Sequence, residues 1–203
     1  MSTASRDWRA DPKGSTFDES RNAILDAAED AINDSGLDGF RIAQVAQRAG
    51  CTRQNIHRYF PRKRDLTEAV MFRRTQRLGR GVTRDLPTDG HPIDRLVAGI
   101  IAAVDVTLAD QHLNSYYSDR SAAEMLGFLT SSRGIRSGIS KMAAPLFEAV
   151  RDSNPSVDEG DIADWLLRLY AAEMIWSIGS DRDYDERVKG LRLLALSPFS
   201  GLG

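Results

Sequence analysis

The chain has 203 residues, 41% hydrophobic and 28% charged, with a net charge of −2 and one cysteine. That length buries a substantial core and can hold one large domain or two small ones. A lone Cys51 excludes an internal disulfide framework, and no apolar run approaches the roughly 18 residues of a membrane-spanning helix.

The near-neutral total conceals an asymmetry. Residues 1–80 hold 15 Lys/Arg against 11 Asp/Glu, net +4, whereas residues 81–203 hold 12 against 18, net −6. A basic head on an acidic body points to nucleic acid as the partner of the head. With no signal-peptide pattern, the expectation is a soluble cytoplasmic protein.

Residues 1–15 are polar and read as a disordered arm. Alternatively, Arg6, Arg9 and Lys13 form an arm for the minor groove. Thr16 and Glu19 have capping-box spacing, so a helix is expected to run to about Ser35 and end at Gly36. Ile24, Leu25, Ala28, Ala31 and Ile32 face inward on it, with Asp26, Glu29, Asp30 and Asp34 on an acidic outer face.

Residues 40–66 organise the rest. Ile42, Val45, Ala46 and Ala49 share one helix face, Gly50 breaks the pattern, and Thr52 is placed to cap a second short helix that Pro61 stops. Two short helices about a glycine turn make a helix-turn-helix. Seven cations (Arg41, Arg48, Arg53, Arg58, Arg62, Lys63, Arg64) fall between 41 and 64 without an acid. The second helix opens Thr52-Arg53-Gln54-Asn55. Arg grips guanine and Gln or Asn grips adenine through paired hydrogen bonds, so this turn suits major-groove reading.

The run Val45-Ala46-x-x-Ala49-Gly50-Cys51-Thr52-x-x-x-Ile56-x-x-Tyr59-Phe60-x-x-Lys63-x-x-Leu66 resembles the DNA-binding domain of TetR-family transcriptional regulators. The likeness begins at Arg21-Asn22-Ala23-Ile24-Leu25. It implies an all-α fold: a helix-turn-helix domain over 16–66 and a ligand-binding and dimerisation domain over 67–203. It also implies a repressor that binds a palindromic operator as a homodimer and is released by a small molecule. Arg53, Gln54 and Asn55 are expected to read bases, while Thr52, His57, Tyr59 and Lys63 hold phosphates. Arg41 stands where the family usually has Thr or Ser, His57 where it has Tyr, and Cys51 where it has Val.

A fourth helix is expected from near Arg62, carrying Leu66, Ala69, Val70 and Phe72. Gly79, Gly81 and the Leu86-to-Gly90 turn follow it. Pro92 can open the next helix, whose Ile93, Leu96, Val97, Ile100, Ile101, Val104 and Leu108 make a broad apolar face. Residues 110–119 read as a loop or helix start. Further helices are expected at about 121–130, 135–151, 157–178 and 183–196, with a turn at Asn154-Pro155-Ser156.

Val104, Leu108, Tyr116, Met125, Phe128, Met142, Phe147, Trp165 and Met174 are either core or the wall of an apolar ligand pocket. As a pocket they suit a largely apolar effector, such as an acyl chain, a steroid or an aromatic metabolite. The last two helices are apolar over more arc than one contact needs. Such helices are either buried inside one chain or, as the resemblance implies, form a four-helix dimer interface; the dimer is the favoured reading, with Leu166, Tyr170, Ile178, Val188, Leu191, Leu194 and Ala195 as its expected interface. Glu173, inside that run, reads as a surface or dimer salt bridge. His57, His91 and His112 lack ligand-spaced neighbours, so no metal and no cofactor is expected. Two other readings remain: an enzyme working through His112, Ser115 and Asp119, and a redox sensor acting through Cys51.

Overall fold

The computed structural model describes residues 15–86, 89–131 and 158–196. Residues 1–14 of the arm expected over 1–15, the helix over 135–151, the turn at Asn154, the pocket candidates Met142 and Phe147, and the capping side chain of Thr16 lie outside the described residues, while Ser15, expected in the arm, is already helical. Among the described residues every regular element is a helix. The chain forms two compact units, Met1–Arg73 and Arg74–Gly203.

In the first unit α1 spans Ser15–Gly39 and is broken at Gly36, whose φ of 73° and ψ of 174° are open to glycine without a side-chain clash. The helix was expected to stop there; instead a further short turn continues to Gly39. Helix α2 spans Ile42–Ala49 and α3 spans Arg53–Tyr59. Ile24, Ala28, Ile32, Phe40, Val45 and Ile56 are at most 1% exposed and form the three-helix interior.

One acidic residue of α1 departs from the expected outer face. Glu29 is 6% exposed and accepts a 2.9 Å bond from Arg73, which also donates to Asp26 at 2.7 Å. Arg73 lies on α4, Lys63–Asp85, so this pair ties α4 to α1. Periodicity alone put Glu29 outside because it does not register a cation brought in from a distant helix.

The second unit contains α5 (Pro92–Ala109), α6 (Gln111–Ser118), α7 (Ala122–Ser131), α8 (Glu159–Ser177) and α9 (Tyr184–Leu196). The stretch at 110–119, left open between loop and helix, is helical because Asp110 caps it. Its carboxylate accepts from the amides of His112 at 3.0 Å and Leu113 at 3.1 Å. Helices α5, α8 and α9 pack through Ile93, Leu96, Ile100, Ile162, Leu166, Leu169 and Leu191, with Trp165 and Val188 against them. Each large aliphatic side chain withdrawn from water there contributes about 1.5–3 kcal/mol.

Candidate nucleic-acid interface

The helix-turn-helix is built by local chemistry. Gly50 has a φ of 66° and a ψ of 37°, the left-handed conformation that ends α2, and the Cys51 amide donates back to the Ala46 carbonyl at 2.9 Å. At the start of α2, Arg41 has no side-chain acceptor to cap with. The Gln44 side chain compensates by accepting from the Arg41 amide at 2.9 Å.

At the start of α3 a capping box closes. Thr52 Oγ1 accepts from the Asn55 amide at 3.1 Å, and Asn55 Oδ1 accepts from the Thr52 amide at 3.2 Å. The Thr52 hydroxyl also donates to Asn55 Oδ1. An amide oxygen has two lone pairs, and both are used here. Gripping adenine requires Asn to accept and donate together. Asn55, expected to read bases, therefore spends its acceptor on the helix start, and Thr52 spends its hydroxyl proton there too. Arg53 and Gln54 are exposed beside them, and Arg53 makes no ion pair with the described residues.

The cations divide into engaged and open ones. Arg48 pairs with Asp34, Arg62 with Asp65 at 3.5 Å, and Arg64 with Glu68 at 2.7 Å. Lys63 donates to the Asp38 carbonyl at 3.0 Å, and its Nζ sits 4.2 Å from the Phe40 ring centroid. The expected phosphate residue thus also braces the turn between α1 and α2, keeping two ammonium protons free. His57 Nδ1 donates to the Pro61 carbonyl at 3.2 Å. A neutral His57 ring then offers only an acceptor at Nε2, so donating to a phosphate there requires the protonated ring.

Cys51 is half-buried, and burial pushes its thiol pKa up. Because the thiolate is the reactive form, this weighs against the redox reading.

In the body, Val104, Tyr116, Met125 and Met174 are at most 2% exposed, and Leu108, Phe128 and Trp165 are half-buried. The aromatic pairs Tyr116–Tyr117 and Tyr116–Phe128 lie 5.5 and 5.6 Å apart in edge-to-face fashion. Trp165 packs on the α5–α8–α9 core. Polar groups that composition did not single out line this interior. Thr107 Oγ1 donates to the Ala103 carbonyl at 2.7 Å, so Tyr170 donates its hydroxyl to Thr107 at 3.1 Å. Burial raises the pKa of Tyr170 and Tyr117 alike, keeping both phenols neutral.

Several expected interface residues are consumed internally. Leu166 and Leu191 are 2% exposed, Ala195 is fully buried, and the Tyr170 hydroxyl is turned to α5. Val188 and Ile178 are half-buried, while Leu194 remains 39% exposed. Among the described side chains, the large apolar ones left open on α8 and α9 are Ile175, Trp176, Tyr184, Leu193 and Leu194. Glu173 is not a surface group either: it is 1% exposed and accepts from Arg187 Nε at 2.6 Å.

Ser115 donates to Asp119 at 3.3 Å, not to His112, and both lie on the exposed side of α6. No single helix among the described residues is long and apolar enough to cross a membrane.

Residues 24–70 match the family described as bacterial regulatory proteins, tetR family. An uncharacterized HTH-type transcriptional regulator of Mycobacterium tuberculosis is 26% identical over 164 residues, covering 81% of this chain and 78% of that one. Among solved structures, the transcriptional repressor QsdR of R. erythropolis aligns with a TM-score of 0.64 at 16% identity, covering 88% of this chain and 94% of that one. RolR in complex with resorcinol aligns with a TM-score of 0.62 at 16% identity, covering 88% and 86%.

Proposed function

Because this chain belongs to the TetR family of bacterial regulatory proteins, we propose that it is a repressor that binds a palindromic operator as a homodimer and is released by a largely apolar small molecule. The observation that carries this reading is the opening turn of α3. Arg53 and Gln54 are exposed on a helix whose start is locked by Thr52 and Asn55. Arg53 takes a guanine edge and Gln54 an adjacent base, while Tyr59, Lys63 and a protonated His57 hold phosphates. Two copies joined through Trp176, Tyr184, Leu193 and Leu194 would set two α3 helices on successive major grooves, about 34 Å apart.

The effector would occupy the body interior near Tyr116, Tyr117, Phe128 and Tyr170. Neutral phenols and threonine hydroxyls in an aromatic setting favour a small aromatic or hydroxylated apolar compound over a strongly charged one. RolR, of the same fold, was solved with resorcinol. A ligand can release DNA only by preferring a body state that holds the two heads out of register, and operator DNA must then weaken the ligand by the same factor.

Selection of bound duplexes from a random pool by the full chain is the direct test. It should return a palindrome. Arg53→Ala should then cost about 1–3 kcal/mol and relax one base position per half-site. Recovery of no preferred sequence, or unchanged preference in the variant, would sink the assignment.

A further inference from the structure

Helix α3 has only seven residues, too short to hold its own direction. Its orientation depends on what packs against it. Ile56, fully buried, and Phe60, 4% exposed, seat it on the head's interior. A third contact comes from 42 positions upstream. Phe17, in the first turn of α1, lies on the Tyr59 ring with centroids 4.5 Å apart and planes 30° from parallel. Both rings are half-buried, with the pair at the edge of the head rather than in its core. The Arg58 guanidinium sits 5.2 Å from the centroid of the Tyr59 ring, and its Nη2 donates to the phenol oxygen at 3.4 Å.

We infer that Phe17 is a positioning residue for DNA binding: it holds the Tyr59 ring so that the phenol is presented to a phosphate in one orientation. An unstacked tyrosine at a helix end samples several rotamers, and ordering it on the DNA lowers affinity. The stack removes that loss before DNA arrives. Arg58, lying along the same ring and bonded to the same oxygen, steers the hydroxyl and supplies a positive charge beside it. The inference rests on the reading of Tyr59 as a phosphate contact. Phe17 precedes the family-matched residues 24–70, so this support belongs to the chain's own first helical turn.

The test is a double-mutant cycle on the full chain, using the tightest duplex recovered by the wild type and a scrambled duplex. Phe17→Leu keeps an apolar side chain and removes the ring; Tyr59→Phe keeps the ring and removes the hydroxyl. Phe17→Leu should weaken both duplexes by about two- to tenfold, the range of an aromatic pair. In the Tyr59→Phe background the same change should cost less than about twofold, since the group it positions is gone. Phe17→Trp, which restores a ring, should recover most of the affinity. Equal losses in both backgrounds, or a failure of Phe17→Trp to rescue, would overturn the inference while leaving Tyr59 in its role. Unchanged affinity in Tyr59→Phe alone would overturn the phosphate assignment itself. If Phe17→Leu lowers the thermal midpoint below the assay temperature, Phe17→Met carries the same comparison.

Discussion

Removing the Glu173 carboxylate should be among the most destabilising single changes in the body. Glu173 is 1% exposed and accepts from Arg187 Nε at 2.6 Å and from Ser177 Oγ at 3.1 Å, with Arg182 Nη1 at 3.7 Å. Arg187 is itself 12% exposed and reaches on to Asp105 at 2.6 Å. Burial opposes the charge on Arg187, but its bonds to Glu173 and Asp105 outweigh that and raise its pKa. Breaking a buried pair from one side costs about 3–5 kcal/mol, because the remaining charge stays desolvated. Arg187 keeps Asp105, so Glu173→Ala should fall at the low end, about 3 kcal/mol. The carboxylate of Asp105 is 52% exposed, and a screened pair of that kind contributes about 0.2–1 kcal/mol, which is the expected cost of Asp105→Ala. Replacing both buried partners, Glu173→Leu with Arg187→Met, should return to within about 1 kcal/mol of wild type. The assay is urea unfolding followed by tryptophan fluorescence at fixed protein concentration, since Trp165 and Trp176 both lie on α8. If Asp105→Ala cost as much as Glu173→Ala, or the double variant as much as the single, burial would not be what sets the magnitude.

Three further expectations follow from particular contacts. Asn55→Ala removes half of the capping box at α3 and should cost about 0.5–2 kcal/mol of stability, weakening all duplexes alike; loss of preference at one adenine would instead make Asn55 a reader. Leu193 is 68% exposed, so Leu193→Glu should leave the fold intact and convert a dimer to monomers by light scattering; a wild type already monomeric at micromolar concentration would dismiss that interface. Burial, then Arg74, holds the His112 pKa below its ordinary 6.5 against the opposing pull of Asp110. The unfolded chain then binds a proton that the folded chain refuses, so this stability is fully present above pH 6.5 and is lost progressively as pH falls below that value through the lower folded-state pKa. His112→Phe should flatten the dependence of the urea midpoint between pH 7.5 and 5.5.

What the sequence determined by itself is what depends on residues within about four positions of each other. The glycine turn at Gly50, the Thr52 cap, the stop at Pro61, the break at Gly36 and the helices opening at Pro92 and near Asp183 all follow from local backbone chemistry and a 3.6-residue period. The all-helical class and the helix-turn-helix come with them. Asn55 shows the limit even at short range: its side chain suits both adenine and a cap, and only the folded turn engages its oxygen. Tertiary structure alone decided which polar groups go inside. Arg73 is 44 positions from Glu29, Arg187 is 82 from Asp105, and Tyr170 is 63 from Thr107. Each pair draws inward a group that its own helix would have left at the surface. The same holds for the apolar arc of the last two helices. Its width signals more than one contact, but Leu166 and Leu191 go to α5 while Trp176 and Leu193 stay open, because helix packing, and not hydrophobicity, assigns each face its neighbour.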